Sequence, residues 1–173
     1  LLILLFLSIF LSMYFHNSDT FIKIFGTNFF YRIDRLLDWK DGVGMQLVNA
    51  KSGIGAAHIF GFGFNNTPIY FPEAQTDFIF SIICEEFGVV GSIIVVSLFL
   101  IIFYRGIKIS LKSTDSFSKY LCFGILFQLI FQTIMNLFVV TGLIPVTGVT
   151  LPFISYGGSS LLISMASIGI ILN

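Results

Sequence analysis

The chain has 173 residues, of which 56% are hydrophobic and 10% charged, with acids and bases in equal number; its mean hydropathy is +0.97. Soluble domains carry about 25% charged residues, so this composition excludes an ordinary soluble domain and reads as an integral membrane protein. Zero formal net charge gives nucleic acid no electrostatic footprint, and Cys84 and Cys122, both in apolar surroundings, are expected as buried free thiols rather than a disulfide or a metal site.

The first segment, LLILLFLSIFLSMYF (1 to 15), is apolar but short of the roughly 20 residues a spanning helix needs. It lacks the basic region of a signal peptide, and we expect it to be the tail of a membrane helix that begins upstream. Residues 16 to 76 then form a long loop. Within it, NFFYRIDRLLDW (28 to 39) sets Phe29, Ile33, Leu36 and Leu37 on one face and Arg32, Arg35 and Asp38 on the other. That pattern predicts a short amphipathic helix at the membrane interface, either an anchor or the floor of a headgroup groove. GIGAAHIFGFGF (53 to 64) has GxG spacing but neither the flanking strand and helix nor the Lys-Ser/Thr ending of a phosphate loop. Its glycines are expected to permit tight turns and close packing, and His58 is expected to be structural.

FPEAQTDFIF (71 to 80) places Glu73 and Asp77 four residues apart ahead of a long apolar run. On a helix they share a face, about 40° apart. Thr76 or Asp77 as an N-cap explains the position locally; a general base in a partly desolvated site explains it chemically. The run FGVVGSIIVVSLFLIIFY (87 to 104) is a clear span. A helix over 77–104 reaches about 42 Å, against a hydrocarbon core of about 30 Å, so Glu85 and Glu86 fall near its boundary and Asp77 above it. The next loop, 105 to 119, carries Arg105, Lys108, Lys112 and Lys119 against Asp115. Short basic loops stay cytoplasmic, so the long loop 16 to 76 is extracytoplasmic, its own charges notwithstanding, because long loops translocate largely regardless of charge.

A further span covers 120 to 141, where Gln128, Gln132 and Asn136 recur every four residues as a polar stripe. Such residues face the bundle, as interhelical hydrogen-bonding groups or as a cavity lining. The last apolar segment, 149 to 172, is broken by Pro152 and Gly157–Gly158. Non-helical backbone at membrane depth is tolerated only against protein or a wet cavity. Ser159, Ser160, Ser164 and Ser167 give it small faces for packing.

FPEAQTDFIFSIICEEFGVVG and LIPVTGVTLPFISYGGSS resemble the two signatures of the SEDS proteins (shape, elongation, division and sporulation), the family of FtsW and RodA. The likeness is dense over 68 to 91 and 136 to 160 and looser from RLLDWKDGVGMQL to GIGAAHIFGFGF. PEAQTDF and NLFVVTGLIPVTG are more similar to the division branch than to the elongation branch. One departure stands at Ala57–His58, where the family usually has a Gly-Gly pair; this puts close backbone approach there in doubt. The resemblance implies an all-α polytopic membrane protein of the bacterial inner membrane, with this chain as the C-terminal four transmembrane helices of a ten-helix fold and one large extracytoplasmic loop.

The resemblance also implies a peptidoglycan glycosyltransferase that polymerises lipid II, partnered with a class B penicillin-binding transpeptidase and other division proteins. The family's catalytic acid falls on Asp77, and the acid of its PEA motif on Glu73. Glu73 is expected to orient Asp77 or to help it hold a divalent cation, Mg or Mn, near the pyrophosphate. Candidate substrate-binding residues in the matching motifs are Thr76, Gln46, Glu86, Asn136, Ser155, Tyr156, Ser159 and Ser160. The competing class is a lipid II flippase, with the polar stripe and broken last helix as its path. A flippase needs polar groups through the full membrane depth; Glu73, Asp77, Glu85 and Glu86 all cluster at the outer side, which favours the polymerase.

Overall fold

The computed structural model describes residues 44–66 and 74–172, with isolated positions at 22–23, 27, 37 and 39–40. The chain divides into two compact units, Leu1–Gly44 and Met45–Asn173. In the first, Ile22, Lys23, Thr27, Leu37, Trp39 and Lys40 are helical. The expected helix of 1 to 15 and most of the expected amphipathic helix of 28 to 39 lie outside the described residues.

The described part of the second unit is helical and without strands. Its elements are α1 (Met45–Ala56), α2 (Ile79–Lys112), α3 (Ser116–Thr141) and α4 (Gly158–Leu172). Helices α2 and α3 are long and apolar enough to cross a membrane. At about 1.5 Å per residue α2 is about 51 Å long, well beyond the hydrocarbon core. It starts two residues later than the expected Asp77 and continues past Tyr104. RGIKISLK contains no proline and keeps its helical bonding, and Lys112 in the last turn complements the negative end of the helix dipole. The connector to α3 is therefore only 113–115, and most of the basic residues expected in a loop belong to helix ends. Asp115 caps α3, accepting from the Ser118 N–H at 3.0 Å and the Ser118 hydroxyl at 3.0 Å. Gly142 ends α3 in the left-handed conformation, its N–H reaching back to Phe138 and Val139 carbonyls.

Gly106 on α2 packs directly against the Leu126 side chain, so the two helices approach closely there. Cys122, Leu126 and Ile171 form a buried cluster flanked by Ile107, Ile109, Ile125 and Ile168, which ties the end of α4 to the facing ends of α2 and α3. Cys84 and Cys122 are both buried and free, as the composition suggested.

Helix α2 is not continuous. Gly88 stands at φ 66, ψ −156, a conformation open to glycine alone, and breaks the ladder. The loop after α1 repairs it. The N–H groups of Val89 and Val90 turn to the carbonyls of His58 and Ile59, each at 3.3 Å. The carbonyls of Glu85 and Glu86 accept instead from Phe62 and Gly63, at 2.9 and 3.0 Å. Two helical rungs are replaced by four bonds to one loop, so the buried backbone stays satisfied. Gly61 and Gly88 meet backbone to backbone with no room for a Cβ on either. Of the glycines of 53 to 64, Gly53 and Gly61 thus serve close packing, while a Cβ on Gly55 or Gly63 would meet open space. Close approach also survives the departure at Ala57–His58: His58 adopts φ 52, a left-handed conformation of the kind glycine accepts without strain.

Candidate active site at the head of the second helix

Residues 74–78 form a turn that enters α2 through Phe78, the N-cap, which is almost wholly buried. The N-cap position falls to Phe78, whose side chain makes no capping bond, and not to Thr76 or Asp77: the helix begins after them. The hydroxyl of Ser81 bonds back to the Phe78 carbonyl at 2.8 Å.

The turn presents three successive carbonyls without helical partners; the segment between α3 and α4 captures two of them and Asn136 of α3 the third. The Gln75 carbonyl accepts from the Tyr156 N–H at 3.0 Å. The Thr76 carbonyl accepts from the Ser155 hydroxyl at 2.7 Å. The Asp77 carbonyl accepts from Asn136 Nδ2 at 2.7 Å. The Ser155 oxygen accepts in turn from the Leu151 N–H at 2.7 Å, and so bridges the two segments.

The broken segment 143–157 explains the polar stripe of α3. Proline and two left-handed residues, Gly148 and Phe153, keep it from forming helix, leaving its carbonyls without helical partners. Asn136 Nδ2 also donates to the Val149 carbonyl at 2.7 Å, and Gln132 Nε2 donates to the Thr150 carbonyl at 2.9 Å. One turn of α3 therefore hands two amides to two adjacent carbonyls. The stripe grips a loop rather than another helix. Its third member, Gln128, is exposed.

Asp77 itself is partly buried. Its carboxylate lies across from Gly148, where a Cβ would stand 3.7 Å from Oδ2. Glu73 lies outside the described residues. Among the other candidates, Thr76, Asn136 and Ser155 converge on the Asp77 turn. Tyr156 joins it through its backbone while its side chain is 77% exposed. Asn136 is fully buried. Ser159 is exposed; Ser160 is partly buried, its hydroxyl 3.4 Å from that of Thr150. Gln46 is partly buried in the first turn of α1. Glu86 serves the loop at the kink, accepting from the Asn65 N–H at 3.1 Å, while Glu85 is buried with its carboxylate against Gly53 of α1. Among the described residues no group of three or more His, Cys, Asp or Glu side chains is arranged to hold a metal ion. Gly148 and Thr150 were not singled out from the sequence; the signal for Gly148 was its place between Pro145 and Pro152, where a turn needs positive φ.

These features define a class: an all-helical protein, among the described residues, with two membrane-length helices and an acid-bearing turn locked against a broken segment. The whole chain, residues 1–173, matches the FtsW/RodA/SpoVE model, described as cell cycle protein, and the chain belongs to that family. It is 41% identical over 152 residues to stage V sporulation protein E of Bacillus subtilis, covering 83% of this chain and 42% of that protein. It is 42% identical over 148 residues to the probable peptidoglycan glycosyltransferase FtsW of Geobacter sp. strain M18, covering 82% and 40%. The chain thus spans about two fifths of these relatives. Among solved structures, it superposes with a TM-score of 0.67 and 30% identity on a chain reported under "Structural coordination of polymerization and crosslinking by a peptidoglycan synthase complex", covering 99% of this chain and 47% of that one.

Proposed function

We propose that the protein containing this chain is a peptidoglycan glycosyltransferase that polymerises lipid II for septal wall synthesis, with Asp77 as general base. It is a multi-pass protein of the bacterial cytoplasmic membrane, this chain supplying the last four helices of a ten-helix fold, and its partners are a class B penicillin-binding transpeptidase and other division proteins. The observation that carries the reading is the Asp77 turn. A partly buried carboxylate is held at the head of a membrane-length helix by bonds to three consecutive carbonyls. The names of the relatives support the reaction class, and the peptidoglycan synthase complex supports a crosslinking partner.

Lipid II keeps its polyprenyl pyrophosphate in the membrane and its sugars outside. The acceptor's sugar 4-hydroxyl attacks the anomeric carbon of the donor, the carbon–oxygen bond to the pyrophosphate breaks, and the configuration inverts from α to β. The hydroxyl proton passes to the Asp77 carboxylate as the new bond forms. The rigid turn keeps the base in near-attack geometry. The exposed Tyr156 and Ser159 side chains are disposed to meet the polar headgroup. Glu73 would orient Asp77 or, with it, hold a divalent cation that would neutralise charge on the leaving pyrophosphate.

The test is polymerisation of purified lipid II by the full-length protein with its transpeptidase partner, wild type against Asp77→Asn, with expression and partner binding matched. Loss of polymer from an intact complex is the expected result. Persistent polymer removes Asp77 as the base and brings the flippase reading forward. Loss on removing Glu73 alone, with Asp77 dispensable, reverses the two roles.

A further inference from the structure

Asn136 lies wholly within the protein, so in this arrangement no substrate atom reaches it. Its Nδ2 carries two hydrogens and places one on the Asp77 carbonyl and the other on the Val149 carbonyl, both at 2.7 Å. Its Oδ1 is buried without a hydrogen-bond partner. The donor side of the amide is thus engaged twice and the acceptor side not at all. That asymmetry is what a bridge between two acceptors requires. One planar NH2 group with a hydrogen on each of two carbonyl oxygens holds them at a set separation.

The same two segments meet a second time, through the side chain of Asp77. Gly148 immediately precedes Val149, stands at φ 73, and faces the Asp77 carboxylate. The Asn136 bridge therefore sets how far the Gly148 backbone stands from the carboxylate, and Gly148 supplies a face without a side chain at that place. Ser155 ties the neighbouring residue Thr76 to the same segment by a separate bond, so the segment does not depend on Asn136 alone for attachment.

We infer that Asn136 is a positioning residue for Asp77, acting with Gly148: the amide bridge fixes the Asp77 turn against segment 143–157 so that the carboxylate is held at one height. Asn136 acts through Asp77 and not on the substrate. The inference rests on Asp77 being the base.

The test uses the full-length protein with its transpeptidase partner and purified lipid II. Asn136→Asp keeps the size of the side chain and replaces the bridging donor by an oxygen that repels both carbonyls. Misplacement by about 1 Å costs about 100-fold in rate. The expected result is a fall in kcat of about 10- to 100-fold, with KM for lipid II within about twofold and partner binding retained. Gly148→Ala brings a methyl group only into ordinary contact with the carboxylate but strains the backbone at φ 73, next to the Val149 carbonyl that Asn136 holds, and is expected to lower kcat in the same way by loosening the bridge. A wild-type kcat in Asn136→Asp, or a loss confined to KM, overturns the inference. Should Asn136→Asp fail to fold, Gly148→Ala decides, and a wild-type kcat there overturns it equally. If Asp77→Asn itself polymerises normally, the base assignment falls and the inference with it. If Asp77→Asn is dead while Asn136→Asp turns over normally, only the positioning role falls.

Discussion

His58 stands at φ 52, and its carbonyl takes the N–H that Val89 withdraws from the α2 ladder. A non-glycine residue in that region carries about 1–2 kcal/mol of strain, partly offset by the greater freedom glycine has in the unfolded chain. We expect His58→Gly to raise stability by about 0.5–1 kcal/mol in detergent, measured by thermal or denaturant unfolding. Gly61 and Gly88 behave oppositely, because a methyl group on either meets backbone that cannot move without breaking the four bonds of the kink. Gly88→Ala is expected to lower stability by about 2–4 kcal/mol, read in the same experiment. The resemblance pointed to glycines in this region, but which glycine meets which backbone was not legible. Gly61 and Gly88 are far apart in sequence, and only the docking of the loop on α2 makes them neighbours.

Along single elements, helix ends moved most between sequence and structure. Apolar runs mark where a helix crosses the membrane, but a helix ends where its capping ends. Asp115 shows this: it starts α3 four residues before the expected Tyr120. The Ser118 N–H, and then the Ser118 hydroxyl, hold its carboxyl below the usual carboxylate range. With the folded pKa below the unfolded one, the cap's contribution is present above the unfolded pKa and is lost as pH falls through the folded one. Asp115→Asn is expected to keep the cap and flatten the acid side of the stability–pH curve, whereas Asp115→Ala lowers stability at neutral pH; thermal unfolding across pH separates the two. For the polar stripe, Gln132→Leu leaves the Thr150 carbonyl without its donor in a partly buried site. A loss of about 1–3 kcal/mol is expected, measurable as a lower melting temperature.

At the scale of the whole molecule, the turn at 74–78, the stripe on α3 and the broken segment ahead of α4 form one hydrogen-bonded assembly at one end of the two long helices. By the rule that short basic segments stay cytoplasmic, the basic residues at the far end of α2 are expected on the cytoplasmic side. Single cysteines introduced at Asn66 and at Thr114 are therefore expected to react with a membrane-impermeant maleimide from opposite sides of the membrane. Cys84 and Cys122 are buried and give a low background. Labelling of both positions from the same side would overturn the topology.

The sequence by itself determined the membrane class, the existence of α2 and α3 and the interest of Asp77, because apolar length, the charge of short loops and a carboxylate beside a long apolar run are local properties. It also showed that 149 to 172 could not be one regular helix. Only the tertiary structure decided what that break is for. Backbone that leaves the helix must find partners for its carbonyls, and those partners are Gln132 and Asn136 on α3. It likewise decided that Asp77 belongs to a clamped turn and not to the helix cap. Hydrogen bonds between segments far apart in the chain follow from how the segments pack, and no local spacing encodes them.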